Sequence, residues 1–308
     1  MSDASAAADA DDVLVICGPT AAGKSAIALW LAEQEASVII SADSRQVYRG
    51  FDMGTAKPSP DELARIPHRG IDVVDPTQRY SAALWAEHAD RWIANARAKG
   101  QRPLVVGGTG LYLRALFEGL FEEPELDADR RGRLENIIGG MSGDELRRWT
   151  AQLDPERAHL GRTQLLRSVE IALLAGRRLS ELQRERPRVP RWRPRYLVVD
   201  PGPALAERIA KRIDAMLDHG WSDEVRRLME TIPADAPAWN ATGYDAVRRL
   251  VRGELTRAAA HERILIDTRQ YAKRQRTWFR HQLPDAGVTR VNPLDANCRS
   301  VVSAWSTA

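Results

Sequence analysis

The sequence predicts an α/β fold: a parallel sheet flanked by helices, with an all-helical unit inserted into it. Three observations lead there. The apolar run Val13-Leu14-Val15-Ile16-Cys17 passes through Gly18-Pro19-Thr20-Ala21-Ala22-Gly23-Lys24-Ser25 into Ala26-Ile27-Ala28-Leu29-Trp30-Leu31-Ala32. That order, strand then G-x-x-x-x-G-K-[ST] then helix, is the context in which the motif forms a phosphate-binding loop, or P-loop. Two further apolar runs, Val38 to Ala42 and Pro103 to Val106, each end in a polar or glycine-rich turn. By contrast, residues 122–183 contain no convincing strand but several helical patterns. A chain of 308 residues, 44% hydrophobic and 28% charged, is long enough for one large core plus an appended unit.

The first element in order is the P-loop. Its glycines let successive N–H groups turn around phosphate oxygens, and the helix N-terminus adds its positive dipole end. Gly18, Pro19, Thr20, Ala21, Ala22 and Gly23 are the expected cradle, Lys24 the terminal-phosphate cation and Ser25 the hydroxyl that ligates Mg²⁺. The motif specifies a di- or triphosphate and leaves open whether the ligand is a nucleotide. Val38-Ile39-Ile40-Ser41-Ala42-Asp43 is the second strand, with Asp43 at its C-terminal end, the end that faces the ligand crevice in an open parallel sheet. Asp43 therefore sits beside the P-loop if the two strands are neighbours. Capping a turn is the plainer role for it, but the following Ser44-Arg45-Gln46-Val47-Tyr48 is rich in hydrogen-bonding groups.

Asp52-Met53-Gly54-Thr55-Ala56-Lys57-Pro58 is a loop by its Gly and Pro, and a short strand is expected over Ile71 to Val74. His68, a lone histidine, reads first as structural. Ser81 N-caps a helix over 82–99, which Gly100 ends. Pro103-Leu104-Val105-Val106-Gly107-Gly108-Thr109-Gly110 is a buried strand entering a turn whose glycines permit close approach to a ligand. Thr109 presents a hydroxyl at the same sheet edge as Asp43, and a helix follows over Leu111 to Leu120.

Helices over Asp144 to Leu153 and Leu165 to Leu174 belong to the insertion. Arg184 to Arg195, with six arginines and three prolines, is expected as an extended basic linker near a polyanion, or as a solvated hinge. Tyr196 to Val199 restores the sheet, and the next helix carries Arg208 and Arg212 four residues apart on one face. Helices follow over Asp223 to Met229 and Tyr244 to Val251. A long helix from about Ala258 to His281 places Arg269, Lys273, Arg276 and Arg280 in one stripe, with Trp278 and Phe279 beside it. Such a stripe suits a phosphate backbone, although a solvated face is the bland alternative. The predicted organisation is therefore a disordered 1–12, a core of 13–121 and 196–292, an insertion of 122–195 and a peripheral tail of 293–308.

Composition excludes several classes. Residues 1–12 lack an apolar signal core, no apolar run approaches the ~18 residues a spanning helix needs, and two cysteines without C-x-x-C suggest neither zinc nor a disulfide framework. A cytoplasmic protein with no membrane attachment, acting as a monomer, is expected. The strand Leu104 to Val106 ends in Gly-Gly rather than in the acidic metal ligand of a motor-type ATPase, which favours chemistry on a small diphosphate compound.

Together, the P-loop Gly18–Ser25, Ala42-Asp43-Ser44-Arg45-Gln46-Val47-Tyr48, Asp52 to Pro58, Val106-Gly107-Gly108-Thr109-Gly110-Leu111-Tyr112 and Thr268 to Arg280 closely resemble the tRNA dimethylallyltransferases, the bacterial-type tRNA isopentenyltransferases. The resemblance spans about residues 13–282. It implies a P-loop NTPase-like core with an inserted helical tRNA-binding domain. It further implies transfer of a dimethylallyl group from dimethylallyl diphosphate to N6 of the adenosine 3′-adjacent to the anticodon. The P-loop and Arg212 would then hold the donor diphosphate, with Mg²⁺ on Ser25, and Asp43 and Thr109 match the catalytic pair. The tRNA anticodon stem-loop would meet Asp43, Ser44, Arg45, Gln46 and Thr109, then Arg131, Thr163, Gln164, Leu165, Leu166 and Arg167. It would also meet Lys273, Arg274, Gln275, Arg276, Thr277, Trp278, Phe279 and Arg280. Two departures stand out: Gln164 replaces an expected arginine, and Ile-Gly-Tyr-x-Glu is Thr242-Gly243-Tyr244-Asp245-Ala246 here. A small-molecule P-loop kinase and a nucleotide-dependent RNA-binding module are the competing readings. The first gives no reason for the basic helix and the second none for Asp43 beside Thr109.

Overall fold

The computed structural model describes residues 12–119, 126–185, 191–284 and 287–308. Of residues 1–12, expected to be disordered, Asp12 is instead the first residue of a strand, and the rest, like the stretch 186–190 of the basic linker, lie outside the described residues. The chain forms two compact units, Met1–Phe117 with Arg191–Ala308, and Glu118–Pro190.

The first unit begins with β1 (Asp12–Cys17), α1 (Lys24–Ala32), β2 (Ser37–Ala42), α2 (Pro60–Arg65), β3 (His68–Arg69), α3 (Ala82–Ala98), β4 (Arg102–Gly107) and α4 (Gly110–Phe117). The second holds α5 (Ala128–Gly139), α6 (Gly143–Leu153), α7 (Arg162–Ala175) and α8 (Leu179–Arg184). The first resumes with β5 (Arg193–Val199), α9 (Leu205–Asp218), α10 (Trp221–Thr231), α11 (Tyr244–Val251), α12 (Arg257–His281), β6 (Val288–Val291) and α13 (Cys298–Thr307). Six strands form one all-parallel sheet in the order β3-β2-β4-β1-β5-β6. Strands covered on both faces read as continuous apolar runs rather than alternating ones. Val13, Val15, Ile16 and Cys17 accordingly have no exposed surface. Burial pushes the Cys17 thiol up to about 12, so it is packing, not chemistry.

The sheet order separates β1 from β2 by β4, so the first two strands are not neighbours. The register nonetheless brings their ends together. Gly107 pairs with Cys17 on one side and with Ala42 on the other. The P-loop, Asp43 and the Gly108-Thr109 turn therefore leave the sheet at one level.

Three expectations are corrected. No strand forms over 71–74; β3 is His68–Arg69, paired with Ile39 and Ile40, and Val74 makes a single bridge to Tyr48. Between them, Asp72 takes the left-handed φ of 54° and breaks the extended run. The basic end of the linker is strand: β5 starts at Arg193, which pairs with Asp12 at 3.1 Å, while Arg195 donates to the Trp305 carbonyl. These two cations serve the fold instead of a polyanion. The tail is not peripheral either. Cys298, Val302 and Trp305 of α13 are buried in one core cluster with Leu14, Ile16, Leu104 and Val199.

The second unit has its own small cores, Ile138, Leu146, Leu165 and Val169 in one, and Ile171, Leu179 and Leu182 in the other. Helix α6 starts with a reciprocal Ser142–Glu145 capping box, which satisfies two N-terminal amides. Asp154 has no exposed surface, and its carboxylate accepts from the Ser180 amide (3.0 Å) and hydroxyl (2.6 Å). A buried carboxylate needs such donors to offset desolvation.

Candidate active site

Gly18 opens the P-loop at φ 144°, and a Cβ there would lie 2.2 Å from the Val199 carbonyl oxygen. No side chain fits so close an approach. Ala21 at φ 60° and Gly23 at φ 102° continue the left-handed turns that fold backbone amides around an anion. The loop is braced from outside: Arg208 Nε donates to the Ala21 carbonyl (2.9 Å), Arg212 Nη1 to Thr20 Oγ1 (3.4 Å), and the Thr20 amide donates to Gln275 Oε1 (2.8 Å). Lys24 Nζ donates to the Pro19 carbonyl (2.8 Å).

Burial lowers the Lys24 ammonium to about 8; Asp43 partly offsets this and Arg212 adds to it. A bound diphosphate favours the charged form. Above about pH 8, binding must therefore take up a proton, and affinity falls as pH rises; below it Lys24 is charged in both states and the dependence disappears. Calorimetry of inorganic diphosphate binding, in buffers of different ionisation enthalpy, should show uptake approaching one proton near pH ~9 and little near pH ~7. Equal uptake at both would remove Lys24 from the phosphate site.

Asp43 Oδ1 accepts from the Arg45 amide (2.8 Å) and the Gln46 amide (3.4 Å), so the residue does cap its own turn. It also lines the cavity, so capping and chemistry coexist in one carboxylate. Thr109 Oγ1 accepts from the Ser44 amide (3.1 Å), and the Thr109 amide donates to the Ala42 carbonyl (3.2 Å). The turns after β2 and β4 are thus stitched together. Burial raises the Tyr271 phenol well above its ordinary value.

The cavity at this edge has two lobes. The larger, about 840 Å³, is lined by Lys24, Ser25, Asp43, Arg212 and apolar groups including Leu29 and Leu63. The smaller, about 280 Å³, is lined by Ser44, Arg45, Thr242, Thr268 and Arg274. Thr20, Asp43, Thr55, Arg212, Met216 and Tyr271 line both. Asp43 is therefore one of the residues common to the lobe that holds Lys24 and Ser25 and to the smaller one, whose lining also includes Ile209, Ile213, Trp221 and Ile264. His68 also lines the larger lobe, but its Nδ1 is bonded to the Ile66 carbonyl (2.7 Å), and burial lowers its pKa.

Helix α12 corrects the sequence reading most. Gln275 is buried: Oε1 takes the Thr20 amide and Nε2 donates to the Gly108 carbonyl (2.9 Å). A Cβ on Gly108 would lie 2.3 Å from Gln275 Nε2, and one on Gly110 would lie 2.3 Å from the Trp278 ring. The glycines of this turn admit a neighbouring helix, and Gly107 and Gly108 also line the larger lobe. Phe279 is 2% exposed, so neither it nor Gln275 presents a side chain to RNA. Arg276 is held by both Asp200 oxygens, at 2.9 and 2.5 Å, and by the Gly202 carbonyl. The stripe is therefore broken at Arg276, while Arg269, Lys273, Arg274, Thr277 and Arg280 are exposed and Trp278 is half-buried.

In the second unit, Arg131 and Arg167 both pair with the buried carboxylate of Glu170. Thr163 is exposed. Gln164 Oε1 accepts from the Gly161 amide (3.2 Å), capping its own helix where an arginine was expected. Leu165 is 1% exposed and Leu166 packs beside it, so Leu165 is core and not contact surface. Glu170 and Glu224 escaped sequence reasoning. The available signal was an acid on the buried face of an amphipathic helix, as Glu224 lies between Trp221 and Val225.

The sequence matches the family described as IPP transferase over residues 46–282 and that described as isopentenyl transferase over 11–75. It is 39% identical over 300 residues to the tRNA dimethylallyltransferase of Thermosynechococcus vestitus, covering 96% of this chain and 94% of the relative. It is 42% identical to that of Azorhizobium caulinodans, covering 88% and 90%. The full-length tRNA isopentenylpyrophosphate transferase of Bacillus halodurans superposes with a TM-score of 0.69 at 30% identity, covering 96% of this chain and 95% of that one. A eukaryotic dimethylallyltransferase acting on tRNA superposes with 0.78 at 25% identity, covering 96% and 77%. With its P-loop, its Asp43–Thr109 pair and this extent of likeness, the chain belongs to the IPP transferase family, that of the tRNA dimethylallyltransferases.

Proposed function

We propose that this enzyme transfers the dimethylallyl group of dimethylallyl diphosphate to N6 of the adenosine 3′-adjacent to the anticodon in tRNA, releasing diphosphate, and that it does so in the cytoplasm as a monomer. The observation that carries the reading is that Asp43 lines both lobes, one of which also holds Lys24 and Ser25 of the P-loop. The larger lobe suits the donor: Thr20, Lys24 and Ser25 of the P-loop, with Arg212, line it for the diphosphate, and the apolar wall suits the five-carbon group. The smaller lobe suits the base, with Ser44 and Arg45 at its rim.

The exocyclic amine is a weak nucleophile because its lone pair is delocalised. As N6 bonds the allylic carbon and the carbon–oxygen bond breaks, the amine becomes acidic, and the Asp43 carboxylate takes its proton. Lys24 and Arg212 stabilise charge gathering on the departing diphosphate. Thr109 keeps the Ser44 turn, and hence the base, in register. Reaching N6 requires the adenosine to leave its stack. Exposed Arg269, Lys273, Arg274, Thr277 and Arg280, with half-buried Trp278, are the proposed RNA face of α12, and Arg131, Thr163, Gln164, Leu166 and Arg167 that of the second unit.

For Mg²⁺, Ser25 supplies an exposed hydroxyl facing the larger lobe, and no group of three His, Cys, Asp or Glu among the described residues could hold a metal. That donor set fits a cation carried largely by phosphate and water, as Mg²⁺ prefers. When bound it would neutralise diphosphate charge. No described helix is long and apolar enough to cross a membrane.

The test is one incubation. Protein, Mg²⁺ and dimethylallyl diphosphate are mixed with an unmodified anticodon stem-loop bearing adenosine at that position, and the digested nucleosides are weighed by mass spectrometry. An adenosine heavier by one dimethylallyl unit is expected. Unmodified RNA that nevertheless binds would overturn the reaction and leave the RNA partner in place.

A further inference from the structure

The segment 52–58 forms a wall of both lobes without being helix or strand. Gly54 and Thr55 line the smaller lobe, and Asp52, Met53, Thr55, Ala56, Lys57 and Pro58 the larger. Such a wall holds its shape only if its backbone groups find fixed partners. Glu224, 7% exposed on α10, supplies them: Oε2 accepts from the Asp52 amide (3.1 Å) and the Met53 amide (2.6 Å), and Oε1 from the Tyr244 hydroxyl (2.6 Å). Tyr244 has no exposed surface, and a Cβ on Gly54 would lie 2.4 Å from the Trp221 ring of the same helix. Further along the segment, Gln46 Nε2 donates to the carbonyls of Thr55 (3.2 Å) and Ala56 (3.0 Å). The amide of Gln46 is in turn one of the two that the Asp43 carboxylate accepts. A continuous chain of hydrogen bonds and backbone thus runs from a buried carboxylate on α10, through the cavity wall, to Asp43.

We infer that Glu224 is a positioning residue for the transfer, acting through segment 52–58 and Gln46 to hold the Asp43 turn in its reactive place. The inference rests on the function proposed above. Its chemistry is simple: an ionised carboxylate accepts from three donors at once, whereas a glutamine in its place loses at least one acceptor site and turns an N–H toward a donor. Lys57 ties the two ends of the segment together through Asp52 and anchors them to Asp72 and the Tyr48 carbonyl, so the segment keeps these fixed partners when Glu224 is changed.

The experiment compares wild type with Glu224→Gln by amide hydrogen exchange and by steady-state transfer. Exchange is expected to speed up ~10-fold or more at Asp52 and Met53 and also at Arg45 and Gln46, with the amides of β5 unchanged. The kcat should fall ~10- to 100-fold, with the donor KM within about threefold, because misplacement of a reacting group acts on the chemical step. Wild-type protection at Arg45 and Gln46, or an unchanged kcat, would overturn the inference and leave Glu224 a local brace. If Glu224→Gln does not fold, Tyr244→Phe removes one donor and keeps the carboxylate, and is expected to give the same pattern in smaller measure. A wild type that transfers nothing would overturn the proposed function instead, while the exchange data would still decide the link to Asp43.

Discussion

Asp43→Ala is expected to slow prenyl transfer by at least ~10²-fold while leaving stem-loop affinity within a few fold, because a general base contributes to the transition state and little to RNA binding. The double duty of this carboxylate calls for a second variant. Alanine also strips the acceptor from the Arg45 and Gln46 amides. Asp43→Asn retains a side-chain carbonyl that can accept from those amides, but no longer takes a proton. Single-turnover rates separate the roles. If Asp43 is the base, both variants are slow; if it is a turn cap, Asn restores most of the rate that Ala loses.

Replacing Arg269, Lys273 and Arg280 together by alanine is the second large effect. All three are exposed on α12. Each phosphate neutralised releases a counterion, so losing three should reduce the slope of log affinity against log salt by about 2 to 3, and affinity by orders of magnitude at low salt. Arg276→Ala is the internal contrast: its guanidinium is spent on Asp200 and Gly202. It should leave the salt slope near wild type and lower the melting temperature, as breaking a partly buried charged pair does. A salt titration of stem-loop binding checks both, and an unchanged slope in the triple variant would make the stripe a solvated face.

The phosphate cradle was legible because its chemistry is local: Gly18 to Ser25 must be contiguous to wrap one anion, so spacing alone reveals it. The apolar strands were legible for a similar reason, since a strand buried on both faces is apolar along most of its length. Sheet order was not, because nothing in Val38 to Ala42 says that β4 intervenes between it and β1. Periodicity also misled on α12. It put Arg269, Lys273, Arg276 and Arg280 in one stripe, but whether a cation meets solvent depends on a partner such as Asp200, 76 residues away. Gln275 and Glu224 were illegible for the same reason: each acts on amides far along the chain, and a polar residue in an amphipathic helix carries no mark of its distant partner. The tail failed differently. Its short helix α13 looks unremarkable until Val302 and Trp305 are seen against the sheet.

Helix α12 is a single rod of 25 residues, about 37 Å long, and it serves two masters. Its outer face carries the cations, and its inner face carries the Gln275 amide that spans the Thr20 amide and the Gly108 carbonyl. The helix runs unbroken from Arg257 to His281, so the same element carries both faces. Thermodynamic reciprocity then follows. If a docked stem-loop settles this rod, it must change the affinity for diphosphate, and the diphosphate must change the affinity for RNA by the same factor. On the function proposed above, the RNA face and the P-loop brace are opposite sides of one element, and the two binding constants are then coupled.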